Sequence, residues 1–504
     1  MAIKRRETLE LLAGIVLVPV IYRCRSACAG SLPAGRGGDD SDALIALFAD
    51  MARTGRASLP GGTYKVFKPL VIPPGVLEGG NVILDFRGAD PANFSARVCA
   101  LVRGNGPTKL PNLLRDVATG ARRLEFSAPH GLRVGETIQL SGTVDFAGNG
   151  YRHYYRKGEM FRVARVIDAT TIESESGGRD SYPATGVEVW RRSGERFVQS
   201  CSSLTILGPD TVKTIVQVEA FDNSRIDNLR VEGGMNHALY VIDCFRLSGL
   251  NLRCRQSASG TSNYGIIVGH SQDVRLGGVA YGYFNGITVG GELPTGGKIG
   301  MSRDIHFEGS AGSDPAKGLA GANFHGNCED SSYRGSFSNG VVLGGNKNKA
   351  FGEFNGRAGR PAIVFGEMHG HAFEVRGVAR TVGVELSKAN GAVHMQGFGV
   401  NARYGGQTIL DLELHVPNAT RILWWRPTDL RRADVELQVD LDIAKAHPAT
   451  RIMALKKTGG KGGALPLVDL DRLNLVDNAI PILWSVDDRT LFKGKALRVM
   501  KGHA

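Results

Sequence analysis

A four-residue pattern that recurs along the middle of the chain constrains the fold more than any other feature of the sequence. It consists of a residue that is usually small, an apolar residue, a variable residue and a second apolar residue. The eight copies are IVQV at 215, ALYV at 238, GIIV at 265, GITV at 286, GANF at 321, GVVL at 340, AIVF at 362 and GVEL at 383. Successive copies begin 23, 27, 21, 35, 19, 22 and 21 residues apart. A period near 21 residues predicts a solenoid in which each copy marks one coil and the longer spacings contain loop insertions.

Alternation within the pattern predicts which side chains face the core. Neighbouring side chains of a strand point to opposite faces, so the second and fourth positions face inward and the third faces outward. Further strand-like segments lie between the copies, namely SRIDNLRV (224–231), QDVRLGGV (272–279) and RDIHFEG (303–309). They predict two or more stacked parallel sheets. The 68 glycines in 504 residues, which show no collagen period, agree with the many tight turns of an all-β fold.

The first 29 residues have the organisation of an export signal. Lys4, Arg5 and Arg6 precede an apolar run from Leu11 to Tyr22, and Ala-Cys-Ala at 27–29 offers a cleavage site. The segment KRRETLELLAG resembles a twin-arginine signal. The apolar run is too short to span a bilayer as a helix, so no stable membrane insertion is expected after cleavage. We expect an exported protein, periplasmic or extracellular.

The charge of the chain predicts an acidic partner. The formal net charge is +12, and removal of residues 1–29, with five basic and two acidic side chains, leaves +9. No compact Lys/Arg block and no interleaving of aromatic and basic residues are present, so a nucleic-acid partner is not expected. An exported basic protein is expected to meet acidic polysaccharide instead. The five scattered cysteines beyond residue 29 form no disulfide framework; a Cys244–Cys254 bridge and buried free thiols remain alternatives.

Residues 39–66 predict one amphipathic helix that leads into a strand. Asp40, Ser41 and Asp42 provide N-cap chemistry, and apolar residues follow at helical spacing before the turn LPGG and the strand TYKV. This DDSDA helix followed by LPGGTY resembles the opening of the pectate-lyase superfamily. The resemblance implies a right-handed parallel β-helix in which the helix closes the N-terminal end of the apolar core. Residues 30–112 are therefore expected to form the capping helix and the first coils.

A different rhythm between residues 113 and 195 predicts an inserted small β module. Its segments APHGLRVGETIQLSG (128–142) and FRVARVIDATTIES (161–174) are similar to small β-barrel inserts of phage tail-spike and tail-fibre proteins. The main β-helix is then expected over 196–415. Beyond it the periodicity fades, and 416–504 is expected to form terminal coils or a capping β element.

A polar cluster at the ends of three successive repeats is the candidate catalytic site. Glu219, Asp243 and His270 follow the pattern on neighbouring rungs, and Tyr240 lies just before Asp243. Strands of a parallel stack lie about 4.8 Å apart, so neighbouring side chains are expected about 5 to 8 Å apart. That range includes the carboxylate separations used in glycoside hydrolysis. Asp243 and a further carboxylate at Glu367 are five rungs apart and cannot act on one bond.

Other polar residues are candidate substrate-binding groups. Asn323 and His325 lie two rungs beyond His270, where they can hold an adjacent sugar. Arg255 and Lys298 belong to loop insertions that are expected to form the walls of a groove. A second polar group, which includes Glu367 and Lys388, is expected to extend the binding surface or simply to be solvated. These additional candidates are Asn323, His325, Arg255, Lys298, Glu367 and Lys388.

Two reactions fit the candidate cluster. In a hydrolase, Asp243 and Glu219 would divide the acid and base roles. In a lyase, His270 or Tyr240 would abstract the proton beside a uronate carboxylate, which Arg255 or Lys298 would neutralise. Neither reaction requires a cofactor or a metal, although acidic rungs can bind calcium.

Two further segments resemble polygalacturonase-like hydrolases. YVIDCF (240–245) and VGHSQDVRLGG (268–278) are similar to the DDC and GHG segments of those enzymes, with one aspartate in place of two. The resemblance implies an acid/base role for Asp243 and an assisting role for His270. We therefore expect an enzyme that cleaves an acidic polysaccharide by hydrolysis or β-elimination. The alternative is a non-catalytic, tail-spike-like β-helix that binds carbohydrate or has a structural role at a surface.

Overall fold

The computed structural model describes most of the chain between residues 37 and 380 and a series of strands beyond it. The described ranges are 37–94, 98–145, 155–256, 258–260, 262–291, 297–357, 361–368, 372–380, 393–397, 406–416, 421–427, 435–446, 451–455, 467–475 and 492–493. The predicted export signal and Lys388 lie outside these residues. No helix in the described ranges has the length and apolar character needed to cross a membrane.

The chain forms the predicted right-handed parallel β-helix, built from two long parallel sheets. In sheet A the strands are Arg56–Leu59, Gly62–Lys65, Gly75–Asp85, Phe197–Leu207, Asp222–Ile226, Leu229–Glu232, Phe245–Arg255, Gln272–Gly282, Ser302–Ser313, Cys328–Glu329, Ser332–Ser338, Lys349–Asn355, Glu374–Arg380, Gly406–Val416, Val435–Ala446, Leu467–Leu475 and Phe492–Lys493. In sheet B they are Leu70–Ile72, Val98–Arg103, Thr214–Glu219, His237–Ile242, Tyr264–Gly269, Asn285–Val289, Ala320–Phe324, Val341–Gly345, Ile363–Met368, Val393–Gly397, Arg421–Pro427 and Arg451–Leu455.

The repeated pattern forms sheet B in the predicted register. Its second positions pair from strand to strand, and so do its fourth positions, through the seven copies from 215 to 365. Both columns are at most 1% exposed and belong to one continuous apolar core. Their members are Val216, Leu239, Ile266, Ile287, Ala322, Val341 and Ile363, with Val218, Val241, Val268, Val289, Phe324, Leu343 and Phe365.

The strand of sheet B that follows Ile363–Met368 is not the expected eighth copy of the pattern. The strand that pairs with Ile363–Met368 is Val393–Gly397 and not GVEL at 383, which lies outside the described residues. Val393 then pairs with Leu423, and Leu423 with Met453, so three successive coils each span 30 residues. The expected copy at 383 follows the mean period of the repeat, whereas the coils from this point on are longer.

The predicted helix caps the first coils. It spans Ser41–Thr54, and its buried face consists of Ser41, Leu44, Leu47, Phe48 and Met51. The four apolar residues of this face join the same core as the first strands. The Ser41 hydroxyl accepts hydrogen bonds from the backbone N–H groups of Phe67 (2.8 Å) and Lys68 (3.2 Å). The polar start of the helix therefore also anchors the chain segment that leads into sheet B.

A column of stacked glycines lies within the strands of sheet A. Its members are Gly278, Gly309, Gly335, Gly352 and Gly377. Each has a φ between 130° and 145°, a backbone conformation that side chains with a Cβ atom disfavour. A Cβ on Gly309 would lie 1.9 Å from the carbonyl oxygen of Gly278. Glycine at this position of these five coils is therefore a requirement of their stacking.

The predicted insert is an antiparallel sheet with its own core. It interrupts the β-helix between the sheet B strand Val98–Arg103 and the sheet A strand Phe197–Leu207. Its strands are Thr108–Lys109, Arg123–Glu125, Thr137–Asp145, Arg156–Val166, Thr171–Ser174 and Val187–Arg191, and short 3-10 turns lie at Pro91–Asn93, before it, and at Ala184–Gly186, within it. We call this sheet and its connecting loops the inserted module.

The glycine column yields a direct test of the fold. We expect Gly309→Ala to lower the free energy of unfolding by about 3 kcal/mol or more, because it combines an unfavourable φ with an overlap against backbone. Gly106→Ala is the control, since no atom lies within 4 Å of its added Cβ and its φ is outside the positive range. Urea unfolding followed by circular dichroism measures both. Equal midpoints for the two variants would contradict the role of the column.

Candidate functional site

The predicted catalytic cluster lies beneath the inserted module. Asp243 and His270 are stacked on neighbouring rungs, both in the left-handed backbone conformation, with φ of 53° and 47°. Glu219 is one position out of this column, because it pairs with Ile242 and Ala220 takes the place equivalent to Asp243. The three residues therefore lie on successive rungs, as expected, with Asp243 and His270 in one column and Glu219 one position before it.

Arg192, directly after the last strand of the module, occupies the space beside Asp243. Its Nη1 donates to Asp243 Oδ1 at 2.8 Å and its Nη2 to the Asp243 carbonyl oxygen at 2.7 Å. Its Nε donates to Asp222 Oδ1 at 2.5 Å, and Nη1 also donates to Gln139 Oε1 at 3.0 Å. Burial raises the pKa of Asp243, which is 1% exposed, and Arg192 opposes that rise. Asp243 thus binds the module and has no access to a polymer.

His270 is also part of this contact. It is 1% exposed, and its Nδ1 lies 2.6 Å from the carbonyl oxygen of Ile299. Ile299 in turn packs against Met160 of the module and Phe245 of the coils. The side-chain amide of Gln272 exchanges hydrogen bonds with the backbone of Met160 at 2.7 and 3.0 Å. Polar residues at the coil ends therefore mark where the module is attached.

The remaining members of the predicted catalytic cluster do not form an open groove. Glu219 is buried beside Lys298 Nζ at 3.4 Å and Arg103 at 3.6 Å. Tyr240 is half-buried, with its ring 5.2 Å from that of His237. The guanidinium of Arg255 lies over the ring of Tyr281 at 5.7 Å.

Asn323 and His325 are together, as expected, two rungs beyond His270. Asn323 Nδ2 is 3.5 Å from His325 Nε2, and Asn323 is buried. The neighbouring outward positions Ile267 and Thr288 are buried as well, so this face of sheet B is covered at these rungs. Glu367 lies in the strand Ile363–Met368, but its side chain is outside the described part of the structure. Substrate binding by these residues stays a prediction.

Arg303 joins the coils to the module from the opposite direction. It is 1% exposed, and its Nε donates to the carbonyl oxygen of Gly158 in the module at 3.0 Å. Nη1 donates to Glu329 Oε2 at 2.6 Å, and Nη2 binds the carboxylate of Asp180 in the module. A coil arginine thus enters the module, as the module arginine Arg192 enters the coils.

An open groove runs along this junction, between the module and the outer face of sheet A. Its volume is 780 Å³, within the range of about 300 to 1,000 Å³ that is usual for ligand sites. We call it the lateral groove. It is lined by Lys157, Arg179, Asp180, Met301, Arg303, Asp304, His306, Glu329, Asp330, Ser331, Ser332, Arg334, Asn346, Lys347, Lys349 and Phe351.

Ion pairs account for all the carboxylates of the lateral groove but not for all its cations. The lining holds six basic and four acidic side chains. Asp304 and Asp330, on neighbouring rungs, share the guanidinium of Arg179. Asp180 and Glu329 bind Arg303, as described above. Among the described residues, Arg334 and Lys347 form no ion pair, so the groove has an excess of positive charge.

His306 supplies an imidazole group to the groove, and its proton affinity is altered. Its Nδ1 lies 2.8 Å from Ser332 Oγ. Burial lowers the pKa of His306 below its usual value, against the opposing effect of Asp304. The imidazole is therefore neutral at neutral pH. When Nδ1 donates to Ser332, Nε2 retains a lone pair that can accept a proton.

The sequence contains a signal for this groove that lies outside the small-apolar repeat of sheet B. His306, Asp304 and Asp330 belong to sheet A, whose strands lack the small-apolar pattern. Asn223, Arg246, Asp273, Asp304, Asp330 and Lys347 form a column of non-glycine residues with φ between 52° and 57°. An alignment of the segments between the repeats would have revealed this charged column.

Calcium on acidic rungs stays a prediction. Within the described residues, no three or more His, Cys, Asp or Glu side chains cluster as metal ligands. The nearest approach to an acidic site, Asp304 with Asp330, already holds the Arg179 guanidinium. The described cysteines are buried free thiols, so Cys244 and Cys254 are not bridged.

Comparison with solved structures identifies the fold. The tailspike gp49 of Pseudomonas phage LKA1 matches with a TM-score of 0.73 and 20% identity, over 86% of this chain and 74% of that one. The Gp54 tailspike of Acinetobacter baumannii bacteriophage AP22, solved with A. baumannii capsular saccharide, matches with a TM-score of 0.75 and 17% identity, over 92% and 77%. The tailspike gp61 of Pseudomonas phage phi297 gives 0.67 and 19%, over 86% and 70%. No family model and no curated protein sequence matches the chain. The predicted right-handed parallel β-helix is confirmed.

Loss of the Arg303 side chain is expected to weaken attachment of the module. Arg303→Met removes the hydrogen bonds that Glu329, Asp180 and the Gly158 carbonyl group accept from Arg303, a loss of about 3 to 5 kcal/mol. Arg165→Met is the matched control, because Arg165 forms an exposed pair with Glu173 within the module, worth at most about 1 kcal/mol. Thermal unfolding compares them. A midpoint for Arg303→Met as high as that of the control would contradict the account.

Buried His237 is expected to make the fold sensitive to acid. Burial lowers its pKa to about 3, and Nδ1 lies 3.0 Å from Thr214 Oγ1. Below the unfolded-state pKa of about 6.5, the unfolded chain binds a proton that the folded chain does not. Stability is therefore full above pH 6.5 and falls by about 1.4 kcal/mol per pH unit towards pH 3. His237→Gln should lose less stability than the parent between pH 7 and pH 4.5; parallel unfolding curves would exclude the effect.

Proposed function

We propose that this protein binds an acidic polysaccharide in the lateral groove and cleaves it by β-elimination. The observation that carries the proposal is the combination, in one open groove, of cations without carboxylate partners and a neutral imidazole. The earlier candidates at the coil ends cannot provide this chemistry, because Asp243 and His270 are covered by the module.

The charges of the groove favour an acidic polymer. Arg334 lies in the sheet A strand Ser332–Ser338, and Lys347 lies just before the neighbouring strand Lys349–Asn355. Both side chains are exposed. The Arg334 guanidinium stacks over Phe351 at 4.8 Å, which fixes its plane and offers a surface for a sugar ring. A uronate carboxylate accepts charge-assisted hydrogen bonds from such groups.

The state of the carboxylates favours elimination over hydrolysis. A glycosidase of the usual kind needs one protonated and one ionised carboxyl group. Asp304 and Asp330 both bind the guanidinium of Arg179, so neither offers an unengaged carboxyl group that could donate a proton to a glycosidic oxygen. A neutral His306, in contrast, is suited to accept one.

The proposed reaction uses His306 as the base. Nε2 takes the proton from C5 of a uronate whose carboxylate Arg334 or Lys347 binds. The C5–H electron pair forms the C4–C5 double bond, and the bond between C4 and the glycosidic oxygen breaks. That oxygen takes a proton from the imidazolium or from water, and the products are one unsaturated end and one hydroxyl end.

The structural neighbours support a carbohydrate partner. One tailspike of the same fold was solved with capsular saccharide bound. Export, as the first 29 residues predict, would place the protein where such polymers occur. The alternative of binding without cleavage has one specific observation in its favour, namely that each carboxylate of the groove is in an ion pair.

Cleavage assays distinguish these possibilities. We expect His306→Ala to lower the rate of unsaturated-uronate formation from an acidic polysaccharide about 10²- to 10⁴-fold, because proton transfer is lost. The parent rate should rise with pH through the pKa of His306, below 6.5, since only the neutral ring is a base. His325→Ala, on the covered face of sheet B, is the matched control and should retain the parent rate.

The products and a second pair of variants decide the outcome. Lys347→Ala is expected to weaken substrate binding, whereas Lys317→Ala, in an exposed loop after Ser302–Ser313, should not. Reducing ends without absorbance from unsaturated uronates would indicate hydrolysis and contradict the proposed reaction. Binding with no product on a panel of plant and bacterial polyanions would indicate the non-catalytic alternative.

A further inference from the structure

A second cleft lies at the junction between the module and the coils, beside Arg192. Its volume is 590 Å³, and its lining includes five arginines and only two acidic residues, Glu136 and Asp222. We call it the arginine cleft. The five arginines are Arg133, Arg162, Arg191, Arg192 and Arg196.

Internal ion pairs neutralise only part of this charge. Arg192 is bound to Asp222, and Arg191 lies 3.4 Å from Glu136. Arg133, Arg162 and Arg196 form no ion pair with any residue that the structure describes. Three guanidinium groups therefore face one cleft without a carboxylate to offset them. Like charges that line one cleft repel one another, and an anion between them would reduce that repulsion.

Arg162 shows most clearly that the cleft lacks a partner. Its Nε is buried, and no described residue provides a hydrogen-bond acceptor for it. A buried donor without an acceptor costs about 1 to 3 kcal/mol. Because Arg162 also lines the cleft, an anion that reaches its guanidinium group would offset part of that cost. The exposed loop at Arg133 to Glu136 and the exposed residue Asn223 leave the cleft open to solvent.

We propose that the arginine cleft binds a carboxylate-bearing sugar residue of an acidic polysaccharide. The planar fork of a guanidinium matches a carboxylate in two parallel hydrogen bonds, and several such groups select for acidic over neutral sugars. The cleft and the lateral groove lie at the same junction, each with one of the buried arginines in its lining. Two anion-binding sites on one protein would raise its apparent affinity for a long acidic polymer.

This inference shares its substrate class with the proposed function but does not depend on cleavage. The two can fail separately, because the cleft is tested by binding and the groove by product formation.

The test measures binding of a galacturonate trisaccharide by isothermal titration calorimetry. The full-length His306→Ala/Lys347→Ala protein serves as background, so that the trisaccharide is neither cleaved nor held strongly in the groove. Adding Arg162→Ala should weaken binding about tenfold or more, as expected for loss of a charge-assisted hydrogen bond. Arg133→Ala, at an exposed position, should do the same without a risk of misfolding. Arg165→Ala, an exposed module arginine outside the cleft, should change binding less than twofold.

Two further probes identify the ligand class. Maltotriose, a neutral trisaccharide, should not bind, and sodium sulfate should compete with the galacturonate only at much higher concentration. Sulfate that binds as tightly as the trisaccharide would show an inorganic-anion site and overturn the proposal. An unchanged dissociation constant in both Arg162→Ala and Arg133→Ala, or no binding in the background protein, would overturn it as well.

Discussion

Two buried arginines fix the inserted module on the β-helix, and both clefts exist because of them. A buried guanidinium is costly to remove from water, and this cost is offset only when its donors meet acceptors in good geometry. Arg192 reaches two carboxylates, an amide and two carbonyl oxygens, and Arg303 reaches two carboxylates and a carbonyl oxygen. Because these contacts require accurate geometry, they hold the module in one position on the β-helix.

This attachment of the module explains the role of the polar residues at the coil ends. Asp243 and His270 have the features of a catalytic pair when the sequence alone is considered, since they are titratable and stacked on neighbouring rungs. In the folded chain, the same charge and hydrogen-bonding capacity serve to bind the module. The open groove is instead the lateral groove, which lies between the module and sheet A. Arg334, Lys347 and His306 remain accessible there.

The sequence predicted the fold well because the β-helix repeats one local rule. Apolar positions such as Val241 and Val268 recur in register, and each copy confirms the others. The site could not be predicted in the same way, since it depends on how the insert expected over 113–195 folds onto coil residues that lie 30 to 151 positions later in the chain. No period links Arg192 to Asp243 or Asp180 to Arg303. The charged sheet A column that contains Asp304 and Asp330 could have been predicted from the sequence. Its strands, however, follow a different pattern from the small-apolar repeat of sheet B.

The central claim is that an acidic polysaccharide lies in the lateral groove and not along sheet B. A crystal structure of the His306→Ala protein with an acidic hexasaccharide tests it most directly. The account predicts sugar density in the groove, with a uronate carboxylate within hydrogen-bond distance of Arg334 or Lys347. Density over sheet B beside Asn323 and His325, with an empty groove, would contradict it.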